Sequence, residues 1–413
     1  MRLPFKVYAV GGAVRDRLLG LPVKDRDWVV VGATAQQLIK AGFKPVGKDF
    51  PVFLHPTTSE EYALARTERK VAQGYQGFQF YSAADVTLEQ DLARRDLTIN
   101  AMAEDENGHL IDPYGGQKDL NAQLLRHVGP AFIEDPVRIL RVARFAARFN
   151  FDVAPETMAL MQTMVEKGEV NALVAERVWQ EMARALMEDH PSRFFQTLDA
   201  CGALACILPE ITALFATTSL YTLSSTDINY SPTLQTVDYA ARHDYSLAMR
   251  FSALVFKLGH INISTQNDIS SFANTHHNDC MLLALCSRLR VSNECRDLAR
   301  ITMTYHEKID HIFSLDSSAI LELFKNTDAF RRPQRFHQML AVCAADFLAS
   351  QPFKTEIYPP FSYLTTLLNA ASSIDAAAIA RTCDNRIDIP QRLDKARIYA
   401  IETVRTEKNP YWA

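Results

Sequence analysis

Lys6-Val7-Tyr8-Ala9-Val10-Gly11-Gly12-Ala13-Val14-Arg15-Asp16-Arg17-Leu18-Leu19-Gly20 reads as a strand, a glycine turn and a short helix. The first five residues are mainly apolar and β-prone, Gly11 and Gly12 break the run, and Gly20 suits the position just past a helix end. A strand feeding a glycine turn at a helix start is an anion site in waiting. Its N–H groups point outward and glycine admits a close phosphate. Gly12 and Arg15 are the candidate phosphate contacts. The same residues also suit a purely structural turn, because paired glycines are common in tight turns.

Asp25-Arg26-Asp27 runs into Trp28-Val29-Val30-Val31, a buried-strand pattern. Side chains alternate along a strand, so Asp25 and Asp27 are expected on one side. Two such carboxylates repel unless a cation lies between them, and Mg²⁺ takes oxygen ligands completed by substrate phosphates. The competing reading is an exposed, charged strand entry. A two-metal site takes a third carboxylate. Glu68 is the candidate, at the end of Tyr62-Ala63-Leu64-Ala65-Arg66-Thr67-Glu68, which reads as one strand; Asp49, Glu60 and Glu61 also lie near.

Arg94-Arg95-Asp96 and Glu134-Asp135-Pro136-Val137-Arg138 follow. In this order the stretches resemble the nucleotidyltransferase superfamily, and more narrowly the bacterial-type (class II) CCA-adding enzymes. The first motif is carried by Gly11, Gly12, Arg15, Asp25 and Asp27, and the second by residues 94–101. The third is Asp112-Pro113-Tyr114-Gly115-Gly116 with Asp119-Leu120. The fourth is 134–138, and the fifth is Glu176-Arg177-Val178 with Glu181. The resemblance covers roughly residues 1–190. It implies stepwise addition of C, C and A to the 3′ end of tRNA from CTP and ATP, without a template and with release of pyrophosphate. Asp25 and Asp27 would hold Mg²⁺. Arg95 and Asp96 would address sugar and phosphates, and Asp135 and Arg138 would read the base, supported by Arg141 and Arg144. It also implies a polymerase-beta-like α/β head followed by an all-helical neck, body and tail, an α+β chain.

The base-reading roles suit the chemistry. Aspartate only accepts hydrogen bonds and arginine only donates. Cytosine and adenine each present an exocyclic amine beside a ring-nitrogen acceptor, whereas uracil and guanine reverse both polarities. Paired contacts of this kind discriminate by about 1–3 kcal/mol. Asp135-Pro136 is equally a good helix start. Beyond it, Arg138, Arg141, Arg144 and Arg148 fall within an arc of about 120° on a helix. They form a stripe that repels itself unless anions approach, or an ordinary solvated basic face.

The 413 residues suggest two to four domains, with 48% hydrophobic residues and a net charge of −4, so RNA binding has to rest on local basic stretches. The expected divisions are a catalytic head at 1–130, a helical neck at 131–225 and a helical tRNA-binding body and tail at 226–413. Residues 70–85 read as a long mobile loop beside the site, of the kind that in the resembled family helps switch from C to A. Asn107-Gly108 reads as a hairpin turn. Seven cysteines without a CxxC suggest a reduced cytoplasmic protein with no zinc site. No leader peptide, membrane span or obligate protein partner is expected.

One stretch departs from the resembled family. Many relatives carry a metal-dependent HD-type phosphohydrolase segment like His-Asp-Leu-Gly-Lys, but the matching stretch here is Phe256-Lys257-Leu258-Gly259-His260. Lysine only donates, so it cannot replace an aspartate ligand. His243-Asp244 and His276-His277 lie elsewhere, so residues 226–413 are expected to keep a degenerate HD-like helical fold without phosphohydrolase activity. A poly(A) polymerase on the same head is disfavoured by the short C-terminus. A small-molecule nucleotidyltransferase lacks the Asp135/Arg138 pair and the helical extension. A non-catalytic RNA binder would not keep Asp25, Asp27 and Arg95 together.

Overall fold

The structure is a computed structural model. It describes residues 5–23, 25–46, 52–70, 78–219, 231–260, 271–350, 357–383 and 385–407, with the backbone alone at 68–70, 78–80, 217–219, 260 and 271–279. The chain forms two compact units, Met1–Ala185 with Arg193–Ile207, and Leu186–Ser192 with Leu208–Ala413.

The first unit is built on β1 (Lys6–Val10), β2 (Asp27–Val31), β3 (Lys44–Val46), β4 (Val52–Leu54) and β5 (Glu61–Leu64). β1 leads through Gly11 into α1 (Gly12–Leu18) and pairs antiparallel with β2, with Val10 opposite Asp27. β2 pairs parallel with β5, with Asp27 opposite Glu61. Later come β8 (Ala103–Glu104) and β9 (Leu110–Ile111), the hairpin expected at Asn107-Gly108, and the sheet runs β3-β4-β5-β2-β1-β8-β9. The apolar run of β2 is unbroken because both faces are covered. Val29 joins a cluster with Val10, Leu88 and Leu92, and Val30 joins one with Leu38, Phe43 and Phe53.

The stretch expected as one strand through Glu68 is two. β5 stops at Leu64, and β6 (Thr67–Lys70) pairs with β7 (Phe78–Tyr81) in a separate sheet. The break has a specific cause: the Arg66 N–H donates to Asp91 Oδ1 at 3.2 Å, and the Arg66 carbonyl accepts from Arg94 Nε at 3.1 Å. Both backbone groups of Arg66 are thereby diverted from the ladder. The expected loop at 70–85 is likewise strand at 78–81, a β-prone Phe-Gln-Phe-Tyr; residues 71–77 lie outside the described residues.

Helices α2 (Ala35–Lys40) and α3 (Leu88–Ala93) each begin with a reciprocal cap, Thr34 with Gln37 and Thr87 with Gln90. α4 (Gly116–Asn121) starts under the turn formed by Thr98–Asn100. A Cβ on Gly116 would lie 2.2 Å from the Thr98 carbonyl oxygen, and backbone has little room to yield. Gly116→Ala is therefore expected to destabilise the first unit by about 3 kcal/mol. Thermal unfolding checks this, and an unchanged midpoint would contradict it. After α4 the unit is mainly helical, with α5 (Val137–Phe149), α6 (Pro155–Glu166), α7 (Ala175–Leu186), α8 (Ser192–Ala200) and α9 (Ala203–Ile207).

The second unit is all helical among the described residues. It runs through α10 (Pro209–Ser219), α11 (Pro232–Arg242), α12 (Leu247–Val255), α13 (Ser271–Leu289) and α14 (Asn293–Asp310). α15 (Ser317–Asn326), α16 (Pro333–Ser350), α17 (Pro359–Ser372), α18 (Ala376–Arg381) and α19 (Ile389–Glu407) complete it. Buried Arg250 on α12 explains why 186–192 belongs here. Its guanidinium donates to the carbonyls of Leu186, Glu188, Ala241 and Tyr245, groups that helix ends leave unsatisfied. Lys257 Nζ donates to Asp346 Oδ1 at 2.5 Å, and Thr236 Oγ1 donates to the same oxygen at 2.9 Å. No helix among the described residues is long and apolar enough to cross a membrane.

Candidate nucleotide-binding site

A cavity of about 490 Å³ opens in the first unit where β1, β2, α5 and α7 converge. Eight arginines and three aspartates line it, a strongly cationic wall. The glycine turn forms one side. Gly11 has φ 69°, so glycine is favoured by conformation; a Cβ there would lie 2.7 Å from Arg95 Nη1 and would push that guanidinium aside. The Gly11 N–H is not free for an anion, since it donates to the Met102 carbonyl at 3.2 Å. Gly12 lines the cavity as the first residue of α1.

Arg15 is buried. Its Nε donates to Asp16 Oδ1 at 2.8 Å, its Nη1 donates to Asn100 Oδ1, and its guanidinium sits 4.9 Å from the Phe149 ring centre. Burial draws its pKa down from the usual guanidinium value, and the Asp16 carboxylate opposes that shift. Asp27 lines the cavity, placed there by its register opposite Val10. Asp25 does not line it. β1 ends at Val10, leaving no ladder partner for Asp25, which is exposed ahead of the strand. Glu68 lies on β6, outside the main sheet, and its side chain is outside the described residues.

The second motif is organised by a residue the sequence reading passed over. Asp91 on α3 is fully buried; its Oδ1 accepts from Arg94 Nη2 at 2.7 Å and its Oδ2 from Arg95 Nη2 at 3.2 Å. The signal was present: Asp91 stands three and four residues before the two arginines, the spacing of helical neighbours. Arg95 is thus aimed over the glycine turn. Asp96 is buried too. Its Oδ1 accepts from the Leu97 N–H at 2.9 Å and Asn100 Nδ2 at 3.0 Å, and its Oδ2 from Arg141 Nε at 2.6 Å. Burial alone would raise the Asp96 carboxyl. The Arg141 charge and these hydrogen bonds outweigh it and hold the group well below the ordinary carboxylate range. Asn100, also missed, joins Arg15 to Asp96.

The arginine stripe of α5 escapes self-repulsion by a route the sequence did not reveal, pairing with the protein's own acceptors. Arg138 donates to the carbonyls of Ala131 at 3.0 Å and Arg94 at 2.7 Å. Arg141 meets Asp96, Arg144 meets buried Glu181 at 2.6 Å, and Arg148 meets Asp16 at 2.9 Å. Phe145 lies beneath the row, with Arg144 4.6 Å and Arg141 5.6 Å from its ring centre. The stripe is therefore preorganised before any ligand arrives. Asp135 stands one residue ahead of the Pro136 N-cap of α5. Its Oδ1 accepts the Val137 N–H at 3.0 Å at the start of α5, while the residue also lines the cavity. Arg177 forks onto it, with Nη1 3.3 Å from Oδ1 and Nη2 3.0 Å from Oδ2. Of the sequence candidates, the cavity brings together Gly12, Arg15, Asp27, Arg95, Asp96, Asp135, Arg138, Arg141 and Arg144.

Known proteins resemble this chain over its whole length. A family described as "Poly A polymerase head domain" matches residues 7–126, and one described as "Probable RNA and SrmB- binding site of polymerase A" matches 150–215. The "Multifunctional CCA protein" of Chromobacterium violaceum is 55% identical, covering 97% of this chain and 99% of its own. That of Laribacter hongkongensis is 52% identical over 97% of this chain and 99% of its own. The chain belongs to the family of bacterial CCA-adding enzymes. As a member it is a tRNA nucleotidyltransferase. The fold agrees with solved CCA-adding enzymes. One in complex with CTP superposes with a TM-score of 0.64 at 22% identity, covering 96% of this chain and 87% of that one. The Thermotoga maritima CCA-adding enzyme complexed with tRNA_CCA gives 0.62 at 20% identity, covering 98% and 91%.

Proposed function

We propose that the chain adds C, C and A in turn to the 3′ end of tRNA, using CTP and ATP and releasing pyrophosphate. The observation that carries this reading is the cavity wall: an acceptor-only Asp135 and a donor-only Arg138 beside a phosphate-sized field of arginine. The tRNA 3′-hydroxyl loses its proton to solvent as its oxygen forms a bond to the α-phosphorus, the bond from that phosphorus to the bridging oxygen breaks, and pyrophosphate departs with the electron pair. Arg15, Arg95, Arg141 and Arg144 hold the triphosphate and spread its charge, Asp96 fixes Arg141, and Gly12 gives the phosphates close access to backbone. Residues 150–215 fit contact with the tRNA acceptor end, in keeping with the RNA-binding family matched there. We place the work in the cytoplasm, with its tRNA.

This family uses a divalent metal; we assign it as Mg²⁺. Asp25 and Asp27 suit it by donor type, two carboxylates at one strand entry. Among the described residues no group of three or more His, Cys, Asp or Glu could hold an ion, and Mg²⁺ sites of this kind are completed by substrate phosphate. Bound there, the ion would supply Lewis-acid activation of the attacking hydroxyl and neutralise charge on the leaving pyrophosphate. Glu68 remains the proposed third carboxylate. We assign no phosphohydrolase activity to the second unit, because Lys257 sets an ammonium against Asp346 at the stretch that would carry the metal pair.

The test offers the protein tRNA transcripts ending at the discriminator base, at C and at CC, with Mg²⁺ and each nucleotide singly and in pairs. Ordered growth to CCA, with UTP and GTP refused, is expected. Unlimited A addition would indicate a poly(A) polymerase, and no addition on any end would leave a nucleotide-binding relic. Ni²⁺- or Mn²⁺-dependent phosphatase activity lost in His276→Ala would overturn the assignment for the second unit.

A further inference from the structure

The Asp135–Arg138 pair reads a base only if the carboxylate presents an oxygen in a fixed direction. Asp135 lies in extended backbone just before α5, with φ −126° and ψ 107°. A carboxylate there turns about two side-chain bonds, and each rotamer offers a different oxygen to the cavity. The Val137 N–H restrains only Oδ1. Arg138 Nη1 and Nη2 are held by the Ala131 and Arg94 carbonyls. The two readers are thus anchored separately, and the anchor for Asp135 is Arg177.

Arg177 stands in the first turn of α7 and lines the same cavity. It meets both oxygens of Asp135 at once, which fixes the plane of the carboxylate as well as its distance. A lysine cannot do this, because its ammonium is a point charge without a fork. Oδ1 already accepts from both the Val137 N–H and Arg177, so a base amine has to be met by the second lone pair of Oδ2, and the plane set by Arg177 decides where it points.

We infer that Arg177 is a specificity-determining positioning residue: it sets the Asp135 carboxylate plane so that the amine of cytosine or adenine is accepted and the carbonyl of uracil or guanine is refused. This deepens the reading of the site as a CTP- and ATP-selecting one and rests on it. Without the fork, the Asp135 carboxylate turns to accept from water or from a base N–H. Selection among bases then falls more than turnover does.

The experiment measures single-nucleotide incorporation of C, A, U and G on matched tRNA ends by wild type, Arg177→Met, Arg177→Lys, Asp135→Ala and the Asp135→Ala/Arg177→Met double variant. In Arg177→Met the preference for C and A over U and G is expected to fall about tenfold to a hundredfold, through nucleotide KM, with KM for tRNA unchanged. Arg177→Lys is expected to recover part of kcat/KM but little of the preference. The double variant should discriminate no worse than Asp135→Ala, because both changes remove one device. Equal losses for all four nucleotides in Arg177→Met, or additive losses in the double variant, would overturn the assignment and leave Arg177 a structural clasp. A wild type that itself fails to prefer C and A would instead refute the base-selecting site, a distinct result.

Discussion

Asp27→Ala is expected to lower nucleotide addition by at least about 10³-fold while leaving tRNA binding and the melting temperature unchanged. Two facts make the effect large and clean. Asp27 is the acidic residue that strand pairing carries to the cavity rim beside the glycine turn, within a wall otherwise dominated by arginine. It is also exposed, so no buried contact is lost with it, and exposed substitutions of this kind change stability by about 0.5 kcal/mol at most. The loss belongs to charge stabilisation and alignment in the transition state, the main sources of rate in phosphoryl-type transfer. Asp25→Ala follows the same direction, with a smaller effect because Asp25 stands outside the cavity lining. Single-turnover CTP incorporation on a tRNA ending at the discriminator base measures both. Activity in Asp27→Ala within tenfold of wild type would remove the carboxylate from the chemistry.

Much of the head was legible because its signals are local. The glycine turn, the two-faced run Trp28-Val29-Val30-Val31 and the Asn107-Gly108 hairpin are each written within a few residues, and each took its expected form. What escaped depends on partners distant in sequence. The chain breaks at Arg66 because a carboxylate 25 residues later takes its N–H. The arginine stripe looked like a surface in need of ligands, yet Asp16, Asp96 and Glu181 neutralise it, and they reach α5 through folding alone. Asp135 was weighed as cap against base reader; it binds the Val137 N–H one residue ahead of the Pro136 cap and also lines the cavity, while its fork with Arg177 spans 42 residues and was not legible. The helical second unit was legible as helix; its Lys257–Asp346 pair spans 89 residues and was not.

Asp96→Asn is expected to destabilise the first unit by about 3 kcal/mol at pH 7, with a characteristic dependence on pH. Asp96 has little exposure, whereas its partner Arg141 keeps 35% of its side-chain surface, so the cost lies at the low end for a broken buried pair. Asparagine retains an acceptor for the Leu97 N–H but leaves Arg141 without its counter-charge. Asp96 in the folded protein holds its charge to lower pH than it does unfolded. Its stabilising contribution is therefore complete above the ordinary carboxylate value, about pH 4, and is lost as pH falls through the lower folded value. The gap between wild type and variant should be constant from pH 7 to about 5 and narrow below about 4. Urea unfolding followed by tryptophan fluorescence in a Trp412→Phe background reads this unit alone, since Trp28 and Trp179 both belong to it. A gap that stays constant down to pH 2.5, or a variant as stable as wild type at pH 7, would show that the Asp96–Arg141 pair does not organise the site. The same result would detach Arg141 from the preorganised wall, because Asp96 is what holds its guanidinium in line with the cavity.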